Sequence, residues 1–519
     1  MTQLPIILLC LAYFALRLFY CDHMPMWDGL DYYQTIIFAQ AKPFDILNYS
    51  GEHNAQIWLL LIGLPNYIFP GSFFAYHAWV ALLGAGGVAA FYFILEALFK
   101  NTFDTTERLL LMALFAFHPS LLSNQVQVTL DTGLLLFWLW FLLALLKDKI
   151  WLAALAGCGM LFSKETAIAH LPIVFLFCTL LQPKESRIAC AKRYTAAIAA
   201  PVALLALFLW YKGIWRHEDL FFQGFLQEHS DLLFILPDTS LINYTLIALV
   251  LNFDWVFILL GAVLITCLYR MPPTDFWLQH KRKSLAFAWL FVSTLAVVIG
   301  VRHWAHVRYL LPFFPAMLLG FAYLLPTVQT KNIRLGIIAI LLVLCGWQDV
   351  RTIDPVSNAI FCTTTFGTHN IIDIETQETC KLNERTAWLP RNMIYNLEFA
   401  YVPELVDRIM KDVRPTDHTV VIVQKRYEFE LLTPFDADGN PTLVNAVMHP
   451  KTKALDSPKD MGQASFWKGL PDTVYYIEFP TPDNDVYRQQ FAAHYAHKTE
   501  KIYDSNGYQL TLFKYENKR

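Results

Sequence analysis

W-D-G-L-D-Y-Y, from Trp27 to Tyr33, follows directly on the first apolar run of the chain, which ends near Tyr20. It sets two carboxylates, Asp28 and Asp31, within about a turn of a membrane boundary. A carboxylate at that depth loses hydration and needs a cation, a hydrogen-bond network or a substrate to compensate it. Further polar sites recur at the ends of expected helices: Glu52 with His53, then Asp131, then R-H-W-A-H-V-R-Y from Arg302 to Tyr309. These stretches can meet only if the chain threads a bilayer so as to bring them to one side.

The composition supports a bilayer. Of 519 residues, 56% are hydrophobic and 16% charged, against about 25% charged in soluble domains, which places the chain in the membrane class. A net charge of −3 leaves no electrostatic footprint for nucleic acid. The run from Leu4 to Tyr20 has neither a basic leader nor a small-x-small cleavage site, so it reads as a retained first helix. The cysteines form no C-x-x-C pair. Cys10, Cys158, Cys178 and Cys267 lie in apolar runs, where a small buried hydrophobe is expected.

Apolar segments of spanning or near-spanning length fall at 4–20, 74–98, 109–123, 130–146, 150–163, 166–182, 195–211, 241–269, 284–300, 309–326 and 333–348, which makes eleven. The stretch 57–70 is short, broken by Pro65 and Pro70, and reads as interfacial or re-entrant. One set of connections holds Lys100, Arg108, Lys147, Lys149, Lys184, Arg187, Lys192, Arg193, Arg270, Lys281, Arg282, Lys283, Lys331 and Arg334, 14 basic residues in all. The alternate set holds six: Lys42, Lys164, Lys212, Arg216, Arg302 and Arg308. The positive-inside rule makes the first set cytoplasmic and puts every polar site named above outside, with everything after about residue 349. The expected fold is therefore a multi-pass α-helical membrane domain, 1–348, followed by a soluble extracytoplasmic α/β domain, 349–519. That second domain is announced by T-V-V-I-V (419–423), T-V-Y-Y-I-E-F (473–479) and Y-Q-L-T-L-F-K-Y (508–515), with a helical pattern at Val402–Val413. Its cysteines, Cys362 and Cys380, are equally readable as a disulfide or as free thiols.

Each polar site has a plain reading beside a functional one. Asp28 suits an N-cap of the amphipathic stretch Tyr32, Ile36, Ile37, Phe38. Glu52 and His53 suit metal ligation, acid–base work or a solvated loop. Asp131 opens an uncharged span as a cap, a dipole partner or a functional carboxylate at the membrane edge. Lys164 and Glu165 interrupt two apolar runs and suit a mutual pair. The Arg302–Arg308 cluster lies against the positive-inside bias, which calls for an anion such as phosphate, with lipid headgroups the plain alternative. Trp27, Tyr32, Tyr33, Trp58, Trp215, Trp304 and Tyr309 suit an interfacial belt as well as a sugar site.

In this order the motifs resemble the GT-C superfamily of multi-pass glycosyltransferases, above all the branch with protein O-mannosyltransferases and lipid A aminoarabinose transferases. D-G-L-D-Y (Asp28–Tyr32) matches both ends of a first-loop D-E-x-x-Y pattern. E-H-N-A supplies Glu52 without the family's neighbouring Lys and prolines. Leu130-Asp131 matches the L-D that heads the fourth helix, and Lys164 in F-S-K-E a Lys after the fifth. Arg308 to Pro315 match R-Y-x-L-P-x-x-P in full. No one motif is specific, but five in the right order over roughly residues 1–330 are. The resemblance implies a polyprenyl-phosphate sugar donor, a glycolipid or protein acceptor, and a site facing away from the cytoplasm, here that of a bacterial inner membrane with a periplasmic C-terminal domain. It makes Asp28 the base, with Glu52 and Asp131 orienting the site or holding a divalent metal. It assigns the phosphate to Lys164, Arg302, Arg308 and Tyr309, and leaves Asp31, Tyr32, His53 and His303 against the substrates. A lipid-linked oligosaccharide ligase or polymerase is the alternative within that class. A non-enzymatic carrier of lipid-linked glycans is the alternative outside it, although a carrier calls for internal repeats and mid-membrane charges.

Overall fold

The computed structural model describes residues 3–19, 21, 29, 32–33, 35–36, 55–126, 128–215, 254–300 and 310–350, and in the C-terminal part 356, 359–360, 365–366, 369–370, 405, 408–409, 412–413, 419–424, 452–455, 461, 464–468, 470–478, 484–505 and 508–518. Each expected apolar segment contains helix. The order is α1 (Leu4–Leu18), α2 (Gln56–Gly63), α3 (Phe73–Phe99), α4 (Thr105–Ala116), α5 (Pro119–Val126), α6 (Leu130–Leu146), α7 (Ile150–Leu161), α8 (Ala167–Leu181) and α9 (Arg187–Trp210). It continues with α10 (Asp254–Arg270), α11 (Asp275–Arg282), α12 (Ser284–Gly300), α13 (Phe313–Leu324) and α14 (Lys331–Val350). By length and composition, Phe73–Phe99, Lys184–Gly213 and Lys331–Asp349 are long and apolar enough to cross a membrane. Leu4–Leu18, Leu130–Leu146, Ile150–Leu161, Ala167–Leu181 and Phe313–Thr327 are shorter apolar helices.

Two segments depart from a plain succession of rods. The expected run 109–123 is two helices, broken at Phe117-His118. Pro119 opens the second, where its missing N–H costs nothing, but it cannot continue the first. The stretch 57–70 is α2 plus a 3₁₀ turn, Leu64–Tyr67. It then reverses at Gly71, whose φ of 73° is open to glycine. Asn66 Oδ1 accepts from the Gly71 N–H at 2.9 Å, and Trp79 Nε1 of α3 donates to the Leu61 carbonyl at 2.9 Å. The segment therefore folds back on α3.

The centre of the bundle is α6. Leu134, Leu135, Trp138, Leu139, Phe141 and Leu142 are all buried, as expected of a helix apolar on every side. Close approach relies on glycines. A Cβ at Gly87 would lie 2.5 Å from Leu136, and one at Gly159 would lie 2.3 Å from the Phe137 ring. Phe91 stacks on Phe115 at 4.3 Å, and Phe115 on Phe314 at 5.2 Å.

Ion pairs show which connections share an end. Lys331 pairs with Asp104, Arg334 with Glu107 at 2.7 Å, and Arg193 with Asp148 at 2.6 Å. Every partner belongs to the basic set of connections. The Asp131 and Lys164 connections meet each other instead. These contacts keep basic connections with basic ones, as the alternation expects of them.

The C-terminal sheet is five-stranded and mixed, with strands β3 (Thr419–Gln424), β4 (Thr452–Leu455), β5 (Thr473–Glu478), β6 (Tyr495–Ser505) and β7 (Tyr508–Lys518) in the order β4-β3-β5-β7-β6. A separate two-stranded ribbon, β1 (Thr365–Phe366) and β2 (His369–Asn370), precedes it. Strand β3 runs parallel to β4 and β5, and β7 antiparallel to β5 and β6. Ser505 pairs with Tyr508 at one end of the β6–β7 ladder. Helix α15 (Ala464–Lys468) and helix α16 (Asn484–His494) supply Trp467, Tyr487 and Phe491 to a core with Ile422, Tyr476 and Phe513. Arg488 of α16 binds Glu478 through two bonds, Nε to Oε2 at 2.9 Å and Nη2 to Oε1. Burial still holds the Glu478 carboxyl above the usual carboxylate range, so desolvation outweighs the guanidinium there. All three expected strands are present. Within 402–413, Leu405, Arg408, Ile409 and Asp412 are helical. Cys362 and Cys380 lie outside the described residues.

Candidate active site

Of the residues expected to form the site, Tyr32, Asp131 and Lys164 are described. Asp28, Asp31, Glu52, His53, Arg302, His303, Arg308 and Tyr309 lie outside the described residues.

Asp131 and Lys164 are brought together. Asp131 lies in the first turn of α6, with Thr129 at the N-cap position, so it is no cap but a carboxylate at the positive end of the helix. Lys164 lies in the turn between α7 and α8. Its Nζ donates to Asp131 Oδ1 at 2.7 Å, and the two side chains are only 3% and 4% exposed. Glu165, the other expected partner of Lys164, is buried beside it. Helix α2 fastens the arrangement. Its first N–H groups, of Ile57 and Trp58, donate to the Phe162 carbonyl at 3.1 and 3.3 Å, two residues before Lys164. The Trp58 ring lies on Gly133, two residues after Asp131, where a Cβ would come within 2.5 Å of the ring. Ser163 Oγ donates to the Gly159 carbonyl at 2.7 Å and closes the turn.

Tyr32 is buried in an apolar cluster with Tyr33, Trp58, Leu59 and Tyr76. Trp58, also expected in an interfacial belt, is fully buried. Among the described residues no group of three or more His, Cys, Asp and Glu is placed to hold a metal ion. Asp131, the described half of the expected metal pair, already gives Oδ1 to an ammonium. Glu52, the other half of that pair, lies outside the described residues.

No protein-family model matches the sequence, and no curated protein matches it. Among solved structures, ArnT from Cupriavidus metallidurans in the apo state matches with a TM-score of 0.50 at 14% identity, over 98% of this chain and 97% of that one. The chain has the GT-C fold. The same ArnT bound to undecaprenyl phosphate scores 0.48 at 13% identity, over 98% and 97% of the two chains. Archaeal oligosaccharyltransferase AglB from Archaeoglobus fulgidus, in complex with an inhibitory peptide and a dolichol-phosphate, scores 0.47 at 11% identity, over 99% of this chain and 74% of that one. Both are more remote and add nothing to the assignment.

Within this GT-C fold the same end of the bundle holds polar residues that the motifs passed over. His118 Nδ1 accepts the Ser120 backbone N–H at 3.3 Å, which puts the ring proton on Nε2, facing Asp254 Oδ1 at 3.4 Å. Both residues are fully buried, and Phe314 stacks on the imidazole at 4.1 Å. His170 is buried one and a half turns after Lys164. Arg17 is buried near the end of α1. Each is a lone polar residue in an apolar run, which is itself the signal that could have found it.

Proposed function

We propose that the chain is a membrane glycosyltransferase that moves a sugar from a polyprenyl-phosphate donor to a glycolipid or protein acceptor on the extracytoplasmic face, with inversion. The observation that carries this reading is the buried Asp131–Lys164 pair, formed by two of the five ordered motifs at one end of a GT-C fold. Asp131 accepts from the Lys164 ammonium and so holds it in place as a cation in a site of low dielectric, where its field is strong. That is a suitable partner for a phosphate that gains charge as it leaves.

In the proposed reaction the acceptor hydroxyl oxygen attacks the anomeric carbon while Asp28 takes its proton. The bond from that carbon to the phosphate oxygen breaks, and its electron pair stays with the lipid phosphate. Lys164, Arg302 and Arg308, with Tyr309 beside them, stabilise the leaving anion, and Glu52 with Asp131 orients the site. Asp31, Tyr32, His53 and His303 complete the substrate contacts. Among the described residues the buried ions lie at helix ends, which favours an enzyme over a carrier with mid-membrane charges. ArnT, whose fold the chain shares, is known with undecaprenyl phosphate, and the same class of carrier is proposed here.

The test is Asp28→Asn, which removes a base and keeps its shape. Transfer of sugar from a polyprenyl-phosphate donor, followed by mass spectrometry of surface glycolipids and glycoproteins, should fall by roughly 10²–10⁴-fold. Activity above about a tenth of the parent's excludes Asp28 as the base.

A further inference from the structure

Arg17 is the second-last residue of α1, and its side chain is fully buried. Nη1 donates to the Leu122 carbonyl of α5 at 3.4 Å, a long bond to a neutral group. That contact puts Arg17 at the end of the bundle where α5 leads into Asp131. Its backbone is fastened as well, since Cys21 Sγ donates to the Arg17 carbonyl at 3.1 Å. Nε and Nη2, which make up the side-on fork of the guanidinium, meet no acceptor among the described residues.

A guanidinium keeps its charge at every physiological pH, and a buried charge without a counter-ion is costly. The described carboxylates at this end are occupied elsewhere or do not reach it. Asp131 holds Lys164, Asp254 faces His118, and Asp349 makes no hydrogen bond to Arg17. The partners that match a side-on fork are carboxylate and phosphate, each through two parallel bonds. The approach along α1 favours a lipid. Leu4, Ile7, Leu8 and Leu11 leave between 51% and 61% of their surface exposed on that helix, and Phe19 beyond its end is 83% exposed. An acyl or prenyl chain lying on that face would end at the turn of α1 that carries Arg17, whose side chain lies on the opposite, buried face with Ile6 and Tyr13.

We propose that the Arg17 fork is a seat for a phosphate oxyanion, that of the polyprenyl-phosphate carrier, a step that rests on the function proposed above. The test is thermal unfolding of the purified full-length protein in detergent, for the parent, Arg17→Met and Arg17→Lys. Each is measured alone and with undecaprenyl phosphate, undecaprenol or inorganic phosphate. The parent should be stabilised by undecaprenyl phosphate and not by undecaprenol. Arg17→Met should be at least as stable as the parent without lipid and should lose the shift. Arg17→Lys, which keeps the charge without the fork, should bind about tenfold more weakly. A shift by inorganic phosphate that Arg17→Met loses supports the seat, with free phosphate as its source. A full shift in Arg17→Met overturns the seat and leaves the carrier reading standing. A marked loss of stability in lipid-free Arg17→Met also overturns it, because a carboxylate of the chain itself then fills the fork. A parent that responds to none of the probes removes both the seat and the lipid-phosphate reading.

Discussion

Among the described residues each end of the bundle holds a buried pair of a lysine or arginine with a carboxylate, and the two are built differently. At the basic end Glu107 is 2% exposed and fully engaged: Oε1 accepts from Arg334 Nε at 2.7 Å, and Oε2 from the Asp104 backbone N–H at 3.1 Å. Arg334 also donates to the Val328 and Gln329 carbonyls at 3.0 and 3.1 Å. Those bonds close the capping box of α4 and tie it to α14. At the other end Lys164 and Asp131 join two turns through one 2.7 Å bond, under a tryptophan seated on a glycine. A pair that satisfies helix ends and loop carbonyls is architecture. A pair that holds a cation beside a first-turn carboxylate is suited to a ligand.

The largest effect separates the two by stability. Arg334→Met leaves Glu107 buried without its cation and should cost about 3–5 kcal/mol. The double variant Glu107→Gln with Arg334→Met should recover most of that, because both charges are gone, and should turn over within about twofold of the parent. A double variant that is stable but inactive would mean that the basic end takes part in the chemistry.

The second effect is the mirror of the first. Lys164→Met with Asp131→Asn should also fold, yet transfer should stay down by about 10²-fold, near 2.7 kcal/mol of transition-state stabilisation. Thermal unfolding checks the fold, and rates with a polyprenyl-phosphate donor check the chemistry. Recovered turnover in this double variant would make Asp131–Lys164 a second structural pair and remove the main support for the proposed function.

A third effect probes the strap. Gly133→Ala puts a methyl group within 2.5 Å of the Trp58 ring, which must move. Turnover should fall about tenfold, near 1.4 kcal/mol, with little change in donor affinity. Adding Trp58→Leu makes room for the methyl and should return part of the loss. If the two substitutions are additive instead, the contact does not position Asp131.

These contrasts also show what the sequence made legible. Helix existence followed from apolar length alone, and the connections joined by ion pairs at the basic end are ones that charge had grouped. The break at Pro119 did not follow, because the apolar run resumes at Leu121 and Leu122 directly beyond it. Lys164 and Asp131 are 33 residues apart, and their meeting depends on how α6 and α7 pack at Phe137 and Gly159, which no local pattern encodes. Trp58 on Gly133 is invisible for the same reason. In the C-terminal sheet, β6 reads as polar coil because A-H-K-T-E-K has an edge strand's charges and only one paired side. Strands β5 and β7 alternate with a buried face and announce themselves.

The smallest effect concerns Asp104, which caps α4 by accepting the Glu107 N–H at 2.9 Å and pairs with Lys331. Asp104→Ala should cost about 1 kcal/mol through the lost cap. Asp104→Asn keeps an acceptor and should cost less, because an exposed ion pair adds little. The carboxyl is held below the usual carboxylate range, first by the Lys331 side chain and then by the Glu107 backbone N–H. A lowered folded value means that this stability is present above the ordinary carboxylate pKa and is lost as pH falls through the lowered one. Unfolding temperatures of the parent and Asp104→Ala should therefore differ at neutral pH and converge in acid, while Asp104→Asn stays flat relative to Asp104→Ala. A gap that persists unchanged in acid would show that the cap works without its charge and that the pair with Lys331 adds nothing.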